Sequence, residues 1–201
     1  LAGVAQPWLL PAALLTVVAG TLGALAAADL RFLVANLVLI SVGTLLAGVG
    51  LGSVEGLAGA LYYLVHTTLV TGALFLLADL VGRGRPEGAR LQAGPKPPGT
   101  PVLAALFLVA AIAVAGLPPL SGLVGKLLIL AAAQGSTWTA AVWTVLLLSG
   151  LLVLVALARA GSRLFWQGEP SGSPGRAGAA RLAPVVVLLA ASPLMVVFGG
   201  P

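Results

Sequence analysis

Apolar positions in this chain do not alternate with polar ones; they run on. Uncharged stretches cover 8–28, 32–51, 56–78, 101–125, 127–158 and 182–201, separated by charges and by Gly/Pro punctuation. Each has the length an α-helix needs to cross a hydrocarbon core, about 20 residues. A transmembrane β-barrel would show period-two alternation in segments of about ten residues, and these Ala- and Leu-rich runs show none. The pattern therefore predicts an all-α, polytopic transmembrane bundle of about six to seven spans, a single membrane domain over 1–201.

Composition closes off the soluble alternatives. Of 201 residues 60% are apolar and 7% charged, with a mean hydropathy of +1.14, whereas soluble domains carry about 25% charged residues. The net charge of +5 does not point to nucleic acid. Nearly all of its basic residues lie between apolar runs, most of them in 82–100 (Arg83, Arg85, Arg90, Lys96) and 161–181 (Arg163, Arg176, Arg181), where Lys and Arg set membrane orientation. Both segments read as solvated connectors of low complexity, cytoplasmic in type and without a fold of their own. The absence of cysteine and the single histidine exclude thiolate metal sites, iron–sulfur clusters and a bis-histidine haem built from this chain, and no cofactor is implied. Gly48-Val49-Gly50-Leu51-Gly52 lacks the third glycine of a dinucleotide loop, and Gly125-Lys126 lacks the upstream glycine of a phosphate-binding loop. No basic segment precedes the apolar stretch that begins the chain, which does not read as a signal peptide. A chain starting at leucine is expected to be a piece of a longer protein.

Counting crossings raises a topological question. If 101–159 crosses three times, the two basic segments fall on opposite faces; an even number restores both to one face and requires a discontinuous helix. Pro118-Pro119 and Gln134-Gly135-Ser136-Thr137 are the places where a helix could break. The alternative is a simple exception to the charge rule.

Lys126 is the strongest candidate for chemistry. It follows Pro118 by eight residues and is followed by the run Leu127 to Leu130, about 12 Å into a helix at 1.5 Å per residue. A lysine in the slab costs about 2.5–3.5 kcal/mol to insert and so faces protein or a water-filled cavity; desolvation disfavours its ammonium form, which suits it to exchange a proton. The alternative is a lysine that snorkels or neutralises a fixed carboxylate. Ser121, Gly122 and Gly125 surround it with little bulk, allowing close helix approach or water entry. In 61–81, Tyr62, Tyr63, His66, Thr67 and Thr71 form a polar stripe at helical spacing. Histidine can accept on one nitrogen and donate on the other, and the competing reading is an interhelical hydrogen bond with no proton traffic. Glu55 and Asp79 lie near run ends, and Asp29 and Arg31 are the charges between the first two runs, with Asp29 suited to a helix N-terminus. Trp8, Trp138, Trp143 and Trp166 mostly read as interface anchors.

Three stretches together resemble one family: 29–51 (DLRFLVANLVLISVGTLLAGVGL), 61–81 (LYYLVHTTLVTGALFLLADLV) and 116–130 (GLPPLSGLVGKLLIL). They are similar to the antiporter-like membrane subunits shared by multisubunit (Mrp-type) monovalent cation/proton antiporters and respiratory complex I, and most similar to the D-type subunits of the antiporters. The third stretch resembles the family's discontinuous helix, which places its buried lysine or glutamate at Lys126, with Pro118, Pro119, Gly122 and Gly125 at the break. The second places the family's histidine at His66. The resemblance implies the C-terminal part of an inverted-repeat subunit and a proton path of Lys126, His66, Tyr62, Tyr63, Arg31 and Asp29. It also implies a multi-pass position in the cell (inner) membrane, with lipid, H+, Na+ or K+ and the other subunits of an antiporter complex as partners. Arg31 stands where relatives often carry a lysine, and arginine does not readily release a proton; Thr67 and Thr71 stand where relatives often carry a histidine and a lysine. A redox-driven proton-pumping subunit of an NADH:quinone oxidoreductase or membrane hydrogenase is the first rival, and a non-conducting scaffold the second.

Overall fold

The computed structural model describes residues 2–117, 121–168 and 179–198, with side chains for 7–117, 121–168 and 181–194. Among them lie seven α-helices: α1 (Ala2–Ala26), α2 (Leu30–Gly50), α3 (Val54–Arg83), α4 (Thr100–Ala115), α5 (Ser121–Ala132), α6 (Thr139–Gly161) and α7 (Ala179–Phe198). A π-helical turn, Ser162–Trp166, extends α6. Four helices are long and apolar enough to cross a membrane.

Caps and glycines set the boundaries. Asp29 caps α2 by accepting from the Arg31 amide at 2.8 Å, and Ser53 caps α3 by accepting from the Gly56 amide at 3.0 Å. α4 ends at Gly116, whose φ of 77° is left-handed and closes the helix at little steric cost. The two apolar runs expected over 101–125 and 127–158 are thus redistributed into three helices, with Lys126 inside α5 rather than between runs. α4 has 16 residues and α5 has 12. At about 24 Å and 18 Å, neither alone spans a hydrocarbon core of about 30 Å. Together they make one crossing, interrupted after Gly116. The Pro118-Pro119 pair expected at the break lies outside the described residues, and the expected interruption near Gln134 is present as the turn between α5 and α6, with Gly135 at φ 78°.

This arrangement answers the topological question. The Leu30 amide donates to the Ala89 carbonyl and the Leu91 amide to the Ala28 carbonyl, both at 2.8 Å, so the first basic segment pairs with the α1–α2 connection. Arg163 donates to the Leu91 carbonyl at 3.2 Å and Arg159 to the Leu25 carbonyl at 3.3 Å. The α1–α2 connection, the first basic segment and the start of the second therefore share one end of the bundle, which an even number of crossings requires.

The first basic segment is not the unstructured connector that its composition suggested. Arg85 is buried, and its guanidinium donates to the carbonyls of Pro95 (3.1 Å), Arg90 (3.0 Å) and Gln92 (2.7 Å). One rigid, multiply donating side chain replaces the apolar core that so short a segment cannot build. Low complexity concealed this, because the acceptors are backbone atoms. Arg85→Ala removes three charge-assisted bonds worth about 1.5–3 kcal/mol each, and is expected to speed hydrogen exchange at the Leu30 and Leu91 amides by about tenfold or more, as read by mass spectrometry of the assembled protein.

Candidate functional site

The break between α4 and α5 falls at the middle of its neighbours. Around it stand Ile40, Ser41 and Thr44 near the midpoint of α2, Tyr63 and His66 near that of α3, and Ser149 and Gly150 near that of α6. Ending a helix there frees carbonyls in a region without water. Two are closed by the chain itself, the Gly116 amide donating to Ala113 and the Leu117 amide to Ile112, at 3.2 and 3.1 Å. The next two are held by a side chain: Lys126 Nζ donates to the Val114 carbonyl at 3.0 Å and the Ala115 carbonyl at 3.1 Å. Its charge also lies at the negative end of the α4 dipole.

His66 engages the same helix end. It is buried, with Nε2 beside the Ala113 carbonyl, while Nδ1 lies 2.7 Å from Ser121 Oγ, at the first turn of α5. Ala113, Val114 and Ala115 thus meet His66 and Lys126 on consecutive carbonyls, and the two side chains are close enough to interact electrostatically. Gly122 makes the approach possible, since a Cβ there would lie 2.5 Å from both His66 Nε2 and the Ala113 oxygen. Gly125 does the same against Tyr63, whose Cβ a side chain would meet at 2.9 Å.

Lys126 separates two spaces. On its inner side is a small pocket lined by Ser41, Thr44, Tyr63 and Ser149 among apolar neighbours, with room for about one water. Toward the surface lies an apolar groove of about 230 Å³, walled by Leu123, Leu127, Leu147, Leu151 and Leu154. Thr67 donates to Ser41 Oγ at 2.7 Å, and the Tyr63 side chain interacts with both.

Of the residues picked from the sequence, the structure brings together Lys126, His66, Tyr63, Gly122 and Gly125. Tyr62 is half-buried, one position round α3 from Tyr63. Asp29 and Arg31 lie elsewhere, at the stapled end, where Arg31 pairs with Asp79 at 3.2 Å and Arg83 pairs with the same carboxylate at 2.6 Å. The reading of the sequence did not single out Ser41, Thr44, Ser149 or Ser192 as part of a site. Each is a buried hydroxyl inside an apolar run, a signal easily dismissed because Ser and Thr can bond back to their own helix. Among the described residues no cluster of acidic or histidine side chains could hold a metal ion.

The chain resembles known membrane proteins in sequence and in fold. Residues 1–152 match the family described as NADH:quinone oxidoreductase/Mrp antiporter, TM. The D-type subunit of a probable K(+)/H(+) antiporter of Rhizobium meliloti (strain 1021) is 40% identical over 99% of this chain and 42% of its own length. Among solved structures, a chain of the Mrp complex from Dietzia sp. DQ12-45-1b superposes with a TM-score of 0.82 at 26% identity, covering 94% of this chain and 44% of that one. A chain of respiratory complex I from Thermus thermophilus superposes with a TM-score of 0.84 at 33% identity, covering 98% and 41%. The chain thus spans less than half the length of these relatives.

Gly122→Ala is expected to force His66 and the Ala113 carbonyl apart and to cost about 1–3 kcal/mol, read as a lowered Tm of the detergent-solubilised assembly. Gly150→Ala, whose Cβ would meet its nearest neighbour only at 4.0 Å, is expected to leave Tm unchanged.

Proposed function

As the chain belongs to the NADH:quinone oxidoreductase/Mrp antiporter transmembrane family, we propose that it forms part of a membrane subunit of a monovalent cation (Na+ or K+)/proton antiporter complex in the cell (inner) membrane, and that protons pass through Lys126 and His66. The observation that carries this reading is the mid-bundle amine of Lys126, anchored on two freed carbonyls and bordering a small pocket in which the side chains of Ser41, Thr44, Tyr63 and Ser149 stand among apolar neighbours, with room for about one water.

An ammonium has three donors. Two are spent on Val114 and Ala115, which leaves the third for the pocket. When that proton departs, the neutral amine keeps both anchoring bonds and presents a lone pair in the same place. Proton exchange therefore proceeds without releasing the helix end. His66, on the adjacent carbonyl, changes the electrostatic field at Lys126 whenever its own charge changes, and charges couple strongly in a low-dielectric interior. Tyr63, Ser41 and Thr67 extend the polar lining toward α2. The partners that complete the path are the other subunits of the complex and the remainder of the longer protein.

A redox-driven pump subunit of an NADH:quinone oxidoreductase is the second reading, favoured by the close superposition on the complex I chain. The two differ in driving force, not in the residues of this site.

Arginine carries the charge and the donors of Lys126 but does not deprotonate. In vesicles carrying the intact parent complex, matched for assembly, Lys126→Arg and Lys126→Ala are both expected to slow cation-dependent dissipation of a pH gradient by about a hundredfold or more. Preserved exchange in the arginine variant would reduce Lys126 to a fixed countercharge. Dissipation without cation dependence in the wild type would favour the redox-driven reading.

A further inference from the structure

His66 has a second set of contacts that the proton path above does not use. Ser121 Oγ lies 2.9 Å from Ser192 Oγ, and Ser192 Oγ lies 3.4 Å from His66 Nδ1. Ser121 and Ser192 are both fully buried, so the three groups form a closed polar cluster joining α3, α5 and α7.

The direction of its hydrogen bonds follows from what each atom can do. A carbonyl only accepts, so the Ala113 oxygen that shares the space over Gly122 with Nε2 favours the neutral ring that carries its hydrogen on Nε2. Nδ1 is then an acceptor and takes the Ser121 hydroxyl hydrogen. Ser121, having spent its hydrogen, accepts from Ser192. If His66 gains a proton, Nδ1–H must donate, and Ser121 must turn and give its hydrogen to Ser192. Ser192 in turn needs a new acceptor. The next residue, Pro193, lies inside α7 and has no amide hydrogen, which leaves the Leu189 carbonyl without its usual helical donor. A serine hydroxyl reaches the carbonyl three residues back in its own helix, and Leu189 stands at that spacing from Ser192.

We propose that Ser192 is a positioning residue for proton uptake by His66: the Ser121–Ser192 pair is a reversible hydroxyl chain whose direction inverts with the charge of His66, with the carbonyl freed by Pro193 as its terminal acceptor. One proton is gained at Nδ1, and both hydroxyls keep their own hydrogens and only rotate. The titratable groups facing His66 from the packed elements are Lys126 on α5 and Tyr63 on α3, with ring centroids of Tyr63 and His66 6.0 Å apart. α4 carries no titratable residue, and in α7 Arg181 lies three turns away from Ser192. α7 is thereby part of the working site rather than a peripheral span.

The inference rests on the proton-path reading above, and its test separates the two. Cation/proton exchange is measured against pH in vesicles with the intact parent complex for wild type, Ser192→Ala, Ser192→Thr and His66→Ala. Without Ser192 the charged ring has no route for the Ser121 hydrogen. Ser192→Ala is therefore expected to move the pH of half-maximal rate about one unit toward acid, a change of about tenfold in the proton equilibrium. Ser192→Thr, which restores the hydroxyl, is expected to return the profile to that of wild type. A wild-type rate and profile in Ser192→Ala would overturn the inference. So would slowing in both variants with the profile unmoved, which marks packing. If alanine prevents assembly, Ser192→Cys, with similar volume and a weaker donor, is read by the same criteria. Full exchange in His66→Ala would instead refute the role of His66 in the proton path.

Discussion

Everything at the centre of this bundle follows from one constraint: a carbonyl released inside the hydrocarbon has no water to bond. By ending α4 halfway across, the chain creates such carbonyls; its own backbone closes those of Ile112 and Ala113, and the lysine amine meets those of Val114 and Ala115. An unbonded polar group in this setting costs several kcal/mol. A group able to change charge is therefore the same group that makes the break tolerable. A purely apolar residue at 126 would remove a proton site and orphan two carbonyls at once, which is why a variant that keeps the donors is the informative one.

The second requirement is proximity. Helices in a bilayer associate through close contact, because lipid is as apolar as leucine. α5 meets α3 through Gly59, Gly122 and Gly125, where added side chains would strike Leu128, His66 and Tyr63. This pins a helix of 12 residues that is too short to be held by its own length. The exposed leucines and valines elsewhere, such as Leu15, Leu147 and Leu151, face outward as the transmembrane reading demands.

The all-α membrane class and the possibility of a discontinuous crossing were legible in the sequence, and so were Lys126 and His66 as separate candidates, since a lysine and a histidine in apolar runs are costly and rare. The sequence leaves the number of crossings open, with an exception to the charge rule as the alternative, although Pro118-Pro119 marks in the sequence where α4 gives way to α5. The anchors of Lys126 are backbone oxygens, which carry no residue identity. The same blindness hid the order imposed by Arg85, whose acceptors are three carbonyls. Ser192 escaped notice because a lone serine in an apolar helix reads as neutral until its neighbours across the bundle are known.

The pairing of the basic segment with the α1–α2 connection, reinforced by Arg85, Arg159 and Arg163, has a mechanical consequence. It makes one end of the bundle a fulcrum. A helix that tilts about a fixed foot moves in proportion to its distance from it, so the break near mid-height travels about half as far as the opposite rim. The Lys126 and His66 region, at mid-height, would therefore shift less than the opposite rim in any tilt about that foot.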